Sequence, residues 1–302
     1  MKILVTGGCG FIGSHLVDSL IEDNYDVVVI DDCSANNEVF HYNPKAEYHK
    51  VSICDAGKVV EISKNCEFVF HLAAEARLQD SINNPRRTVD VNVLGTLNIL
   101  EACRKNNIKG IVFSSTSSVY GLTNVLPITE DLKEDCLNPY ASTKYSGELL
   151  IRNYTKLYGL KSCIFRYFNV FGERAPTSGQ YALVTGIFLK QYKNNQPLTI
   201  VGDGLQERDF IYVKDIVKAN VLCLKNWEIN DALTKGDVFN IGSGYTVNIL
   251  TLAKAISDNF VFIPERKGEA KNNLSSCLKF MKTTGWKPQV DILDWIMKEK
   301  TK

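Results

Sequence analysis

Tyr140 and Lys144 stand four apart in the segment NPYASTKYSGE, so a helix there puts a phenol and an ammonium on one face. A nearby ammonium, and any further cation bound beside it, would each favour the phenolate and lower the phenol pKa from about 10 toward working pH. A tyrosinate so poised can take a proton from a substrate hydroxyl as general base. With 13 tyrosines in the chain, this spacing is expected about once by chance and is found once. Its weight comes from context, because the apolar run GIVFSST just upstream ends in the hydroxyl cluster Ser114-Ser115-Thr116. Thr116 is then either a partner for the phenol or a turn hydroxyl capping a backbone group.

The second source of chemistry is VTGGCGFIGSH. It reads as G-x-G-x-x-G at Gly8, Gly10 and Gly13, and as G-x-x-G-x-x-G at Gly7, Gly10 and Gly13. Glycines there allow a tight turn and close backbone approach to a pyrophosphate, which the free N–H groups of a following helix would hold. Asp31 ends the next apolar run, near the ~20-residue spacing at which a carboxylate accepts from both ribose hydroxyls. The following DCSANN carries no Arg or Lys to welcome a 2′-phosphate, so NAD is expected rather than NADP. Asp31-Asp32 could otherwise merely close a strand at a solvated turn.

The elements that must position these groups follow from pattern. Lys2–Thr6, Asp26–Ile30, Phe68–Leu72, Gly110–Ser114 and Ser162–Tyr167 read as buried strands. Helical patterns fall over Gly13–Asp23, Val91–Asn106 and Tyr140–Tyr158; the last has Asn138 as cap, Pro139 in its first turn and Gly159 beyond its end. Strands alternating with helices predict an α/β fold, a Rossmann-type doubly wound parallel sheet. After about Asn169 the texture becomes less regular, with loop-like GERAPTSGQ and the turn Gly202-Asp203-Gly204. The expected division is a dinucleotide-binding domain over 1–168, receiving segments from about 209–242, and a smaller substrate domain over 169–302.

Composition narrows the class. The 302 residues are 45% hydrophobic, 10% aromatic and 23% charged, enough for a sizeable core without staples. Lys+Arg number 35 against Asp+Glu 34, which leaves no basic excess for nucleic acid. Nine cysteines show neither a CxxC pair nor zinc-ligand spacing, so reduced thiols in a cytoplasm and no metal are expected. No run approaches the ~20 apolar residues of a membrane span.

TGGCGFIGSH, HLAAEA, VNVLGTLN, FSSTSSVYG, NPYASTKYSGE, RYFNVFG, GDGLQERDFIYVKD and NIGSG occur in one order, and in this the chain resembles the extended short-chain dehydrogenase/reductases. Within them it is similar to the nucleotide-sugar epimerase/dehydratase branch, most of all to the UDP-glucose and UDP-N-acetylglucosamine 4-epimerases, from Met1 to about Trp286. The resemblance implies Thr116, Tyr140 and Lys144 as the catalytic set. It implies NAD contacts from Gly7, Gly10, Phe11, Ile12, Gly13, Asp31, Asp32, Cys33, Ser34, Asn36, Ser52, Ile53, Leu72, Ala73, Ala74, Asn92 and Phe168, besides Tyr140 and Lys144. For a UDP-sugar substrate it implies Asn169, Tyr181, Val184, Arg208, Arg266 and Glu269, with Asn273 beside C2 of the sugar where a bulky Tyr would exclude an N-acetyl group. It also implies a homodimer pairing helices such as Val91–Asn106 and Tyr140–Tyr158. The implied reaction is C4 oxidation by NAD, turning of the 4-keto sugar, and re-reduction.

Some positions depart from the family's pattern. Ser52 stands where relatives often carry Asp, Thr116 replaces a common serine, and Glu207 precedes Arg208. Ser117-Ser118 occupy the places where 4,6-dehydratases carry Asp-Glu, and Ser118 that of a decarboxylase Glu, which disfavours both reactions. The alternatives are another nucleotide-sugar enzyme of the family, whether a 4,6-dehydratase or a UDP-glucuronate epimerase or decarboxylase, and a non-catalytic NAD-binding regulator; the intact Thr116/Tyr140/Lys144 set argues against the last.

Overall fold

Short β-branched runs alternate with amphipathic ones through the first half of the chain, and each crossover returns the chain to one parallel sheet. The computed structural model describes residues 1–35, 40–177, 183–265 and 272–302. In chain order these form β1 (Lys2–Thr6), α1 (Phe11–Glu22), β2 (Asp26–Asp31), β3 (Glu47–Lys50), α2 (Ala56–Ile62), β4 (Phe68–His71), α3 (Leu78–Asn83), α4 (Pro85–Val89), α5 (Thr96–Lys105), β5 (Gly110–Thr116), α6 (Pro139–Tyr158) and β6 (Lys161–Tyr167). There follow β7 (Asn169–Phe171), α7 (Val184–Lys193), β8 (Leu198–Val201), β9 (Glu207–Tyr212), α8 (Val213–Lys225), β10 (Lys235–Ile241), β11 (Thr246–Asn248), α9 (Ile249–Ile256), β12 (Phe260–Ile263), α10 (Leu278–Thr284) and α11 (Ile292–Glu299).

A seven-stranded sheet runs β10-β6-β5-β4-β1-β2-β3, and its pairings are parallel throughout. The order reverses between β1 and β4, so the strands' carboxyl ends open a crevice there, the usual ligand site of such sheets. Alternate side chains of β1 go to opposite faces: Ile3 and Val5 pack with α1 and α8 residues, while Leu4 packs with Ile99, Leu100 and Ile151 of α5 and α6. The late strand β10 pairs with β6, Ile164 opposite Val238, so this sheet draws on both halves of the chain. The other described strands form a three-stranded sheet, β11-β9-β7, and a two-stranded one, β12-β8. Around them a separate core gathers Phe171, Phe188, Phe210, Leu252 and Ile296.

Helix α6 has the expected punctuation. The Asn138 side chain accepts from Ala141 N at 2.9 Å, Pro139 opens the first turn, and Gly159 closes the helix at φ 68°. Its buried face, with Ala141, Lys144, Gly147, Glu148 and Ile151 at helical spacing, looks onto the sheet.

The helix expected over Val91–Asn106 is broken up. A wide i→i+5 turn, Asp90–Gly95, links α4 to α5. The Asn92 side chain accounts for this: almost fully buried, it accepts from Glu75 N at 2.7 Å and donates to Glu75 O and Thr143 Oγ1. The Thr96 hydroxyl meanwhile takes the Asn92 carbonyl at 2.6 Å.

Candidate active site

The crevice holds a cavity of about 480 Å³, lined from the carboxyl ends of β1, β2, β4, β5 and β6. Its floor is the glycine loop. Gly7 sits at φ 75°, where a Cβ would come within 2.7 Å of Ala73 N, and a Cβ on Gly13 would run into the Gly7 carbonyl oxygen. Only glycines keep this cradle open. Helix α1 begins without a side-chain cap, which leaves its first N–H groups to an anion. Asp31 lines the same cavity and is steadied by Cys9 N on Oδ2 (2.9 Å) and Cys33 N on Oδ1 (2.8 Å), with a lone pair left on each oxygen for a ribose hydroxyl. A dinucleotide therefore fits the residues present.

Thr116, Tyr140 and Lys144 all line the cavity beside this cradle. Thr116 is the last residue of β5, where it caps the following turn by accepting from Ser118 N at 3.1 Å. The turn reading of Thr116 therefore holds, and its hydroxyl also donates to Ser118 Oγ at 3.1 Å, near enough to the Tyr140 phenol to favour the phenolate. Burial raises the phenol pKa, and the Thr116 hydroxyl only partly offsets this. Lys144 is 4% exposed, with its ammonium 4.2 Å from the centre of the Phe113 ring, and burial brings its pKa down to about 7 against the opposing pull of Glu148. In the protein alone, without a bound cation beside it, desolvation dominates both groups and Tyr140 is not poised as phenolate. His71 beneath them is fully buried between the Thr6 and Thr96 hydroxyls and neutral, its pKa down to about 3.

One turn beyond Lys144, fully buried Glu148 ties the helix to the two strands behind it. It accepts from Ser115 Oγ at 2.5 Å, and from Arg166 Nε and a terminal nitrogen at 2.9 and 2.6 Å. Ser115 precedes Thr116, so this buried ion pair fixes the distance between the strand that carries Thr116 and the helix that carries Tyr140 and Lys144.

The NAD dependent epimerase/dehydratase family matches residues 3–242. The chain belongs to this family. A Methanocaldococcus jannaschii protein assigned provisionally as a UDP-glucose 4-epimerase is 41% identical, over 97% of this chain and 95% of that one. Among solved structures, a UDP-glucose 4-epimerase of Thermotoga maritima with UDP-glucose superposes with a TM-score of 0.92 at 35% identity, covering 100% of this chain and 98% of that one. A UDP-N-acetylglucosamine 4-epimerase of Methanobrevibacter ruminantium, in complex with UDP-N-acetylmuramic acid, gives 0.90 at 35% identity, covering 99% and 97%.

Set in this NAD-dependent family, the remaining expected residues separate into three groups. Gly10, Phe11, Ile12, Asp32, Ser34, Ile53, Leu72, Ala73, Ala74, Phe168 and Asn169 line the cavity. Cys33, Ser52, Asn92, Val184, Arg208 and Asn273 do not. Asn36, Tyr181, Arg266 and Glu269 lie outside the described residues. The Ser52 hydroxyl accepts from Cys54 N at 3.2 Å, serving its own turn. Glu207, unexplained by the sequence, accepts from Thr246 Oγ1 across the β9–β11 pair. Asn273 Oδ1 accepts from Asp209 N at 2.9 Å and from Asn169 Nδ2 at 3.4 Å, so this side chain helps hold β9 and Asn169 together.

Two charged residues that no motif singles out, Arg77 and Arg87, also line the cavity. Arg87 meets the Glu75 carboxylate at 2.9 Å, and Arg77 meets Asp80 at 2.9 Å. The usable signal for Arg77 was its place just after β4, since strand carboxyl ends face the crevice.

Proposed function

We propose that the protein is a UDP-sugar 4-epimerase that uses NAD without consuming it, and that it interconverts UDP-GlcNAc and UDP-GalNAc at least as well as UDP-Glc and UDP-Gal. The observation that carries the reading is the convergence of Thr116, Tyr140 and Lys144 with the glycine cradle and Asp31 in one cavity. Bound NAD would supply a reversible two-electron acceptor at C4 of the sugar. Its pyrophosphate would rest on the loop from Gly7 to Gly13, with the adenosine ribose on Asp31.

Tyr140 serves as the base that takes the O4 proton and later returns it. Its raised pKa makes the neutral phenol, beside Thr116, the resting form, so the phenol proton must leave to solvent before the oxygen can take the one on O4. The Lys144 charge titrates close to neutrality, so a small gain of negative charge nearby restores its proton and favours the phenolate. Ser117 and Ser118 line the cavity next to Thr116 and supply no acid for dehydration, which favours epimerisation. Turning of the sugar needs a firmly held nucleotide and a loosely held ring; Asn169 and Arg208 are assigned to the nucleotide diphosphate. Asn273 is far smaller than Tyr, and the family relative named for UDP-N-acetylglucosamine supports an N-acetylated substrate.

The same reading assigns the protein to a cytoplasm and to a dimer built on α5 and α6, where Leu149 and Leu157 are exposed. Light scattering on the purified protein tests the dimer. Incubation with UDP-Glc, UDP-Gal, UDP-GlcNAc, UDP-GalNAc and UDP-GlcA, with chromatographic resolution of products, tests the activity. Interconversion of both neutral pairs is expected. Turnover of the hexose pair alone removes the N-acetyl assignment, and no turnover of any of them removes the epimerase.

A further inference from the structure

Cys9 and Cys33 sit in different loops, one inside the glycine turn after β1 and the other just beyond β2. The fold wraps both around one carboxylate, since each donates its backbone N–H to a different oxygen of Asp31. The two sulfurs and a carboxylate oxygen of Asp31 thereby lie within 4.8 Å of one another. Cys9 is buried and Cys33 half-buried, and neither lines the cofactor cavity, whereas Asp31 does. The Tyr42 hydroxyl approaches Cys33 Sγ at 3.8 Å. Asp32 follows directly, and residues 31–35 hold no Lys or Arg.

We propose that Cys9 Sγ, Cys33 Sγ and an Asp31 oxygen form a site for a thiophilic divalent cation of the zinc class, which shares Asp31 with the cofactor. Around a tetrahedral zinc, bonds of about 2.0–2.3 Å put neighbouring donors roughly 3.5–3.8 Å apart, so movements of about 1 Å close the site. Both thiols lose a proton to solvent on binding, and the fourth position is open to water or the Tyr42 oxygen. Burial, and next the Asp31 carboxylate, keep the Cys9 thiol protonated well above its ordinary range. A dication reverses that balance, because it stabilises every negative donor around it. The scattered cysteines gave no such signal in the sequence, because the pairing is made across two loops by a shared hydrogen-bond acceptor.

Asp31 cannot serve both ligands at full strength. Occupancy by metal therefore weakens NAD binding, and excess NAD weakens metal binding.

Cobalt(II) is the probe, since thiolate coordination gives it an intense charge-transfer absorption. Titrated into the purified protein as isolated, it is expected to bind one equivalent per chain with that band. Cys33→Ser, on a surface loop, should bind at least about tenfold more weakly and lose the band, while Cys54→Ser keeps it. Calorimetry should show NAD binding at least about tenfold weaker on the cobalt-loaded protein. A missing band, a band that survives Cys33→Ser, or an unchanged NAD affinity overturns the proposal.

Discussion

Two regions of the molecule are built by opposite means. Around the glycine loop, geometry comes from backbone: the turn at Gly7, the start of α1 and the end of β2 lie within one βαβ unit, and the Asp31 carboxylate accepts from the backbone amides of Cys9 and Cys33. Around Arg208, one fully buried carboxylate gathers distant segments. Asp209 accepts from Ser243 N and Oγ at 2.7 Å, Gly244 N at 3.1 Å, and Ser275 N and Oγ at 3.0 and 2.5 Å. It thereby joins β9 to the turn after β10 and to the segment that carries Asn273. Contiguous backbone geometry tolerates change elsewhere in the chain; a carboxylate hub fails as a unit.

Tyr140→Phe separates chemistry from either scaffold and has the largest expected effect. The ring stays and only the hydroxyl goes, so turnover should fall roughly 10²–10⁴-fold while NAD affinity, read by titration, is kept. A loss of less than tenfold would remove Tyr140 from the role of base. Asp209→Asn breaks the other scaffold. An amide in place of the carboxylate faces several donors with a donor of its own, and urea denaturation should show a loss of roughly 2–4 kcal/mol. KM for the UDP-sugar should rise more than kcat falls, with NAD affinity nearly unchanged; an equal loss of NAD affinity would mean the two regions are not independent.

The glycine-loop region can be probed more gently. NADP should bind at least about tenfold more weakly than NAD, because its 2′-phosphate meets the Asp31 carboxylate. Equal affinities on cofactor-free protein would contradict the placement of the ribose.

The smallest effect is in pH. Burial lowers the Lys144 pKa from 10.5 to about 7, so below that both folded and unfolded chains hold the proton and the cost of burying the charge is fully present. As pH rises above about 7 the folded chain sheds its proton first, and stability rises until the unfolded lysine also titrates. Denaturation at several pH values should show this gain, up to roughly 1 kcal/mol per pH unit, and Lys144→Met should lack it. A parallel pH dependence in the variant would mean that Lys144 stays charged in the folded protein.

The sheet, the glycine loop and α6 were legible in the sequence because each depends on residues close together: alternating β-branched runs, three glycines between a strand and a helix, and the Asn138, Pro139 and Gly159 punctuation. The helix through Asn92 was not, because its side chain bonds outward to Glu75 and Thr143 and opens the turn. Asn273 could be placed by counting along the chain, but its bonds to Asp209 and Asn169 arise from packing between segments that meet only after folding.

The sequence by itself determined which groups could do chemistry, Tyr140 with Lys144 and Asp31 with the glycines, since residue type and helical or strand period fix what shares a face. Only the tertiary structure decided their electrostatics. Closing α6 onto β5 strips water from the cleft, which raises the Tyr140 phenol and brings Lys144 down to about 7. Desolvation belongs to the packed assembly of elements, so no spacing along the chain could have set its sign.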